Sequence, residues 1–238
     1  MKRFSATSII VSSLMLLSVP SSSYAQTTIV SLPFTISVPG TYVFTTNLTY
    51  SQTSGNAITV NVSNVTIDLN GYYLSCPILS NGARAIYSYN KANIRVKNGE
   101  IVGFGAGGVE IDYLASGTNV NFGHLVEDIR FYHNYSGVEF EGSRGCVVKN
   151  CQFIDEAMGV AFFSGTGNRA VQNVATGAVL SRFFSDGTDY FDSNYADSCQ
   201  TGINASPTTK LRFNTTTNCT TGVQGRHFRV GQRPVKSQ

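Results

Sequence analysis

Gly108-Val109-Glu110-Ile111, Gly137-Val138-Glu139-Phe140 and Gly159-Val160-Ala161-Phe162 state one phrase three times: glycine, an apolar residue, any residue, an apolar residue. It returns more weakly as Gly202-Ile203-Asn204-Ala205 and Gly222-Val223-Gln224. The glycines step by 29, 22, 43 and 20 residues, and the 43 reads as two turns with a degenerate one near Ser181. Ala57-Ile58-Thr59-Val60 and Ala85-Ile86-Tyr87 are earlier members. A fixed period of this kind decides an architecture before any single element does.

A second phrase lies between the repeats: alternating apolar residues, a turn, then another apolar residue. Ile94-Arg95-Val96-Lys97-Asn98-Gly99-Glu100-Ile101 states it, and Cys146 to Phe153 and Val126 to Phe131 repeat it. Val65-Thr66-Ile67-Asp68-Leu69-Asn70-Gly71 is its first occurrence. Each unit of roughly 22 residues thus holds two or three short strands with one apolar face. Such a unit cannot bury that face alone, so it must stack on its neighbours, about 4.8 Å away. Asn at the corners tolerates left-handed backbone, and its amide can form a ladder along the stack. A β-sandwich predicts turns without recurring phrases. A propeller blade needs twice the period, and the leucine framework of leucine-rich repeats is missing.

The reading is an all-β chain: a right-handed parallel β-helix of about seven coils over 55–225. Residues 26–54 fall outside the repeat. Ile36 to Phe44 reads there as two strands around Pro39-Gly40, an N-terminal β cap over the open end of the core. Residues 226–238 form a basic, unpatterned tail, and without a lower cap the C-terminal end is open to self-association.

Lys2 and Arg3, the apolar run Ile9 to Val19 and the small-residue ending Ser23-Tyr24-Ala25 mark residues 1–25 as a secretory signal. The expected location is therefore outside the cell or in the periplasm. After cleavage no stretch approaches the ~20 apolar residues of a membrane span. The formal net charge is +3, but Lys2, Arg3 and the tail residues Arg226, Arg229, Arg233 and Lys236 outweigh it, so the body between them is net negative. The body between them carries no footprint for nucleic acid. Five cysteines (76, 146, 151, 199 and 219) match neither a zinc pattern nor a dense disulfide framework, and the histidines are scattered.

The chain resembles the right-handed β-helix repeat proteins of the pectin-lyase-like superfamily. The resemblance rests on Val43 through Gly71, including Asn64 to Gly71, and on the Asn-then-Gly-apolar units through Val223. It implies the fold across nearly all of the chain after residue 25. It is weak for activity, because the group spans lyases, hydrolases, epimerases, sugar-binding modules and proteins without known chemistry.

Register turns the repeat into a map. With Val109, Val138 and Val160 inward, their neighbours point outward, because strand side chains alternate. One outward column reads Thr59, Tyr87, Glu110, Glu139, Ala161, and the next Asn61, Tyr89, Asp112, Glu141, Phe163. Glu110, Asp112, Glu139 and Glu141 then share one patch, bordered by Tyr87, Tyr89 and Phe163. Such a patch has three uses besides plain solubility. Carboxylate oxygens can hold calcium. Two carboxyl groups about 5 Å apart suit a retaining glycosidase. Flanking aromatic rings suit sugars.

Other features carry less. Gly103 to Gly108 has the spacing of a dinucleotide fingerprint but leads into an alternating strand, not a helix. Asp186, Asp189, Asp192 and Asp197 read as a solvated corner, and triplets such as Asn134-Tyr135-Ser136 arise from composition. The paired Asp, Gly-His-Gly and Arg-Ile-Lys segments of polygalacturonase-like relatives are missing. Arg84 and Arg144, the nearest bases for lyase chemistry, read as corner residues. The expected function is binding of a polysaccharide or cell-surface ligand through the acidic, aromatic face. The alternatives are a small polysaccharide lyase or glycoside hydrolase using the same carboxylates, and a structural or adhesive envelope protein.

Overall fold

The computed structural model describes residues 26–77, 82–113, 120–177 and 180–224, which leaves residues 1–25 and the basic tail outside the described residues. Those residues form 22 β-strands in one continuous sheet, with parallel pairing throughout and no helix. The sheet winds about 326° around an axis, a right-handed parallel β-helix.

Three faces follow from three strand types. The first stacks Phe34–Ile36, Ser54–Val60, Gly82–Tyr89, Gly107–Asp112, Ser136–Glu141, Met158–Phe163 and Ser181–Ser185 over the ends of Tyr195–Ala205 and Thr215–Gln224. These are the glycine-apolar phrases, and Ser181–Ser185 is the degenerate turn inside the 43-residue step. The second face runs from Gly40–Phe44 through Val65–Asp68 to Thr166–Val171, Thr188–Asp192 and Lys210–Arg212. The third runs through Tyr73–Ser75, Gln152–Ile154 and Val174–Thr176. Ile94–Val102 and Leu125–Tyr132 each serve both of these faces by bending at one left-handed residue, Asn98 (φ 60) and Asp128 (φ 56). That bend is the turn of the second phrase.

The N-terminal segment differs from its sequence reading. Phe34–Ile36 and Gly40–Phe44 do not pair with each other around Pro39-Gly40. They pair in parallel with Ser54–Val60 and Val65–Asp68, so this segment is itself a coil, and Pro39-Gly40 is a corner. With it, the first face holds more layers than the sequence period suggested.

Val109, Val138, Val160, Ile111, Phe140 and Phe162 are all fully buried, as alternation requires. The corners carry the expected ladders. The backbone N–H of Asn173 donates to Asn194 Oδ1, and that of Asn194 to Asn214 Oδ1, at 3.0 Å each. A second ladder uses other side chains. The Ile94 N–H donates to His124 Nδ1 (3.2 Å), that of Cys146 to Asn168 Oδ1 and that of Asn168 to Asp189 Oδ1 (2.9 Å each). Burial drives the His124 pKa down to about 4, so its ring is a neutral structural acceptor. Asp189 is fully buried in this ladder rather than solvated at a corner. Cys199 and Cys219 are register partners joined by a disulfide, while Cys76, Cys146 and Cys151 are buried free thiols.

Candidate functional site

The first face delivers the expected columns. Tyr87 pairs with Thr59 and Glu110, Glu110 with Glu139, and Glu139 with Ala161. In the neighbouring column Asp112 pairs with Tyr89, and Glu141 with Phe163. All four carboxylates and all three aromatic residues singled out from the sequence therefore lie on one face. Ala161 is in register but fully buried, so the column closes beneath Glu139. Phe163 packs on Phe184 (centroids 4.9 Å apart), which extends the aromatic lower border. Tyr89 is exposed at the upper border.

Arg84 is where the sequence reading falls short. It lies in the Gly82–Tyr89 strand, not in a corner, and its register partner is Gly107. Its Nε meets Glu110 Oε2 at 2.6 Å, and its guanidinium lies 5.1 Å from the Tyr87 ring centroid. Gly107 leaves room for this convergence, since a Cβ there would stand 2.9 Å from Ser136 Oγ and 3.4 Å from Glu110 Oε2. Strict alternation from inward-facing Ile86 would send Arg84 inward; it faces outward because Ala85 and Ile86 are both buried, which breaks the parity of the strand and hid this residue from the sequence reading.

The face is partly buried, and that sets its electrostatics. Burial raises the Glu110 carboxyl pKa even against the adjacent Arg84. Asp112 is also raised by burial, opposed by a hydrogen bond from the Tyr87 hydroxyl. Burial and the neighbouring Asp112 push Tyr87 up to about 12. Glu139 has no ion pair among the described residues; burial, then Glu110 and Asp112, push it up to about 7. Glu141 is raised by burial and then by the charges of Asp112 and Asp186. One carboxylate is thus held by a cation, while its neighbour keeps its proton near neutrality.

No group of three or more His, Cys, Asp or Glu side chains among the described residues is arranged to hold a metal ion. The four acids share a face without converging on a point, and Glu110 is already committed to Arg84. As placed, the patch offers hydrogen bonding and proton transfer.

The chain matches no protein-family model, no curated protein and no solved structure. Fold and face together define a class: a right-handed parallel β-helix protein with a partly buried row of carboxylates between aromatic borders.

Proposed function

We propose that this is an exported β-helix protein of the pectin-lyase-like type that binds a polysaccharide or surface glycan across its first face. The observation that carries this reading is the placement of Glu110, Asp112, Glu139 and Glu141 between Tyr87 and Tyr89 above and Phe163 below. Aromatic rings offer apolar faces to sugar rings. Carboxylates accept hydrogen bonds from sugar hydroxyls, and protonated Glu139 adds a donor. With Arg84 neutralising only Glu110, the face repels acidic sugars and favours neutral or amine-bearing ones. Calorimetric titration with neutral, amine-bearing and acidic glycans tests it. Binding of a neutral or amine-bearing chain should weaken at least tenfold in Tyr87→Ala and Tyr89→Ala. If no neutral or amine-bearing glycan binds the unaltered protein, the structural, adhesive reading takes its place.

A second reading has its own support. Glu110 and Glu139 stand on strands about 4.8 Å apart. That is close to the ~5–5.5 Å between acid and nucleophile in retaining glycosidases. Glu139, with its proton retained to about pH 7, fits the acid, and Glu110 beside Arg84 fits the nucleophile. Hydrolysis is favoured over elimination because Arg84, the nearest cation, is engaged by Glu110. Release of reducing ends that stops in both Glu110→Gln and Glu139→Gln, with binding kept, supports this chemistry. Release that survives them rules out the site.

A further inference from the structure

The lower part of the second face carries the opposite charge. Arg169 pairs in register with Tyr190 and Tyr190 with Lys210, while Asp192 pairs with Arg212. Strand parity sends these side chains outward, where they line an open groove of about 1010 Å³ together with Phe213. Higher on the same face every cation has a partner. Lys97 Nζ meets Asp68 at 2.7 Å, Lys149 Nζ meets Glu127 at 2.9 Å, and Arg95 is paired with Glu127. Among the described residues no ion pair includes Arg169, Lys210 or Arg212. Lys210 and Arg212 lie on aromatic rings instead, 5.0 Å from the Tyr190 centroid and 4.6 Å from that of Phe213.

Phe213 is the second sign. It occupies the corner column of Asn70, Asn98, Asp128, Asn150, Gln172 and Ser193, all with left-handed backbone. Its six predecessors are polar, and short polar side chains suit that conformation best. Phe213 keeps the conformation (φ 51) with half of its surface exposed, so the ring gives the core little. A costly residue that does not pack inward points to a surface role.

We propose that this groove binds an anionic sugar chain, sulfated or carboxylated. Its rings lie on Tyr190 and Phe213, and its acid groups meet Arg169, Lys210 and Arg212. Arg169 and Lys210 stand two layers apart, about 10 Å, which matches acid groups on alternate sugars of a chain running along the helix axis. Asp192, in register with Arg212, sets a negative charge among the cations, which disfavours a uniform polyanion. The site lies on a different face from the acidic patch and does not depend on any role for it.

The test is calorimetric titration of the full chain with a sulfated hexasaccharide, a uronate hexasaccharide, a neutral hexasaccharide and a short single-stranded DNA. At least one acidic hexasaccharide should bind tenfold or more tightly than the neutral one and the DNA. The two acidic arms tell sulfate from carboxylate. The double variant Lys210→Ala/Arg212→Ala should lose that binding at least tenfold. Phe213→Asn should lose binding to a similar extent while melting at the same or a higher temperature, since Asn suits left-handed backbone. DNA bound as tightly as the sugars, or acidic-sugar binding unchanged in these variants, would overturn the proposal.

Discussion

Glu110 and Glu139 are register partners on adjacent parallel strands, yet only Glu110 has a cation, with Arg84 Nε at 2.6 Å. Like charges so placed repel unless one is neutralised. Here one acid takes Arg84 and the other keeps a proton, which explains how an acidic face is tolerated half-buried. The polar asymmetry belongs to the fold as much as to any ligand.

Stability should fall as pH rises across this patch. The Glu139 pKa is raised from an ordinary 4.5 to about 7, so the folded chain holds a proton that the unfolded chain has released. The benefit is full below about pH 4.5 and is lost as pH climbs through about 7. Glu139→Gln keeps the neutral form at every pH. Because the side chain is not fully buried, we expect a gain of only about 1 kcal/mol at pH 8, seen as a melting temperature roughly 2–4 °C higher. At pH 4 the two proteins should melt together. Equal melting at pH 8 would mean that Glu139 is already solvated and ionised.

The glycines of the repeat are held by contact rather than by backbone angle. A Cβ at Gly137 would stand 2.7 Å from Gly159 O and collide with the Phe153 ring. At Gly108 it would stand 2.6 Å from Gly137 O and 2.8 Å from the Phe131 ring. Gly137→Ala should therefore cost about 1–3 kcal/mol by overpacking, measured by denaturant unfolding. A cost near zero would mean that the Phe153 ring can retreat.

This column shows why the fold was legible and where legibility ended. Glycine next to an inward apolar residue fixes strand parity, so Tyr87, Glu110 and Glu139 could be aligned from the sequence alone. The first coil has no such glycine, and Pro39-Gly40 gives the same local signal for a hairpin as for a solenoid corner. Asp189 looked solvated because three other Asp residues flank it within twelve positions. Its place was set instead by Asn168 one coil above, a contact invisible to local reading. Protonation states were further out of reach, because they depend on burial that only stacking creates.

The Cys199–Cys219 disulfide joins neighbouring layers at the lower end of the stack. Closing a loop with a sequence separation of 20 should stabilise the fold by about 3 kcal/mol through the unfolded chain. In a solenoid each layer contacts only its neighbours, so the loss in Cys199→Ser should be local. Hydrogen exchange should quicken in Tyr195–Ala205 and Thr215–Gln224 while Gly107–Asp112 keeps its protection. Uniform acceleration along the chain would show that the stack unfolds as one unit.

Arg182 breaks the glycine column and is compensated on the opposite wall. Val160 pairs with Phe183 and Phe183 with Ile203, so Arg182 aligns with Gly159 above and Gly202 below. The facing column runs Phe131, Phe153, Ala175, Ala196, and the two alanines make room where the arginine stem enters. The guanidinium is fully buried. Its Nη2 donates to the carbonyls of Asp197 (3.4 Å) and Ser198 (3.3 Å), while Nε and Nη1 have no protein partner. Burial lowers its pKa to about 10 and raises that of fully buried Glu156 to about 8. Restoring the repeat residue with Arg182→Gly should therefore destabilise, by about 3 kcal/mol, because it empties space that Ala175 and Ala196 do not fill. Arg182→Met keeps the stem volume and removes a poorly satisfied charge, so it should be neutral or stabilising. Glu156→Gln retains the acceptor for the Asn134 backbone N–H (3.2 Å) and side-chain amide (3.1 Å). The Glu156 pKa is raised on folding, so its contribution fades as pH rises from about 4.5 through 8, and the Gln variant should gain most at pH 9. Thermal melts of the three variants at pH 6 and pH 9 check these expectations. An Arg182→Gly protein as stable as the parent would mean that the coils close over the gap.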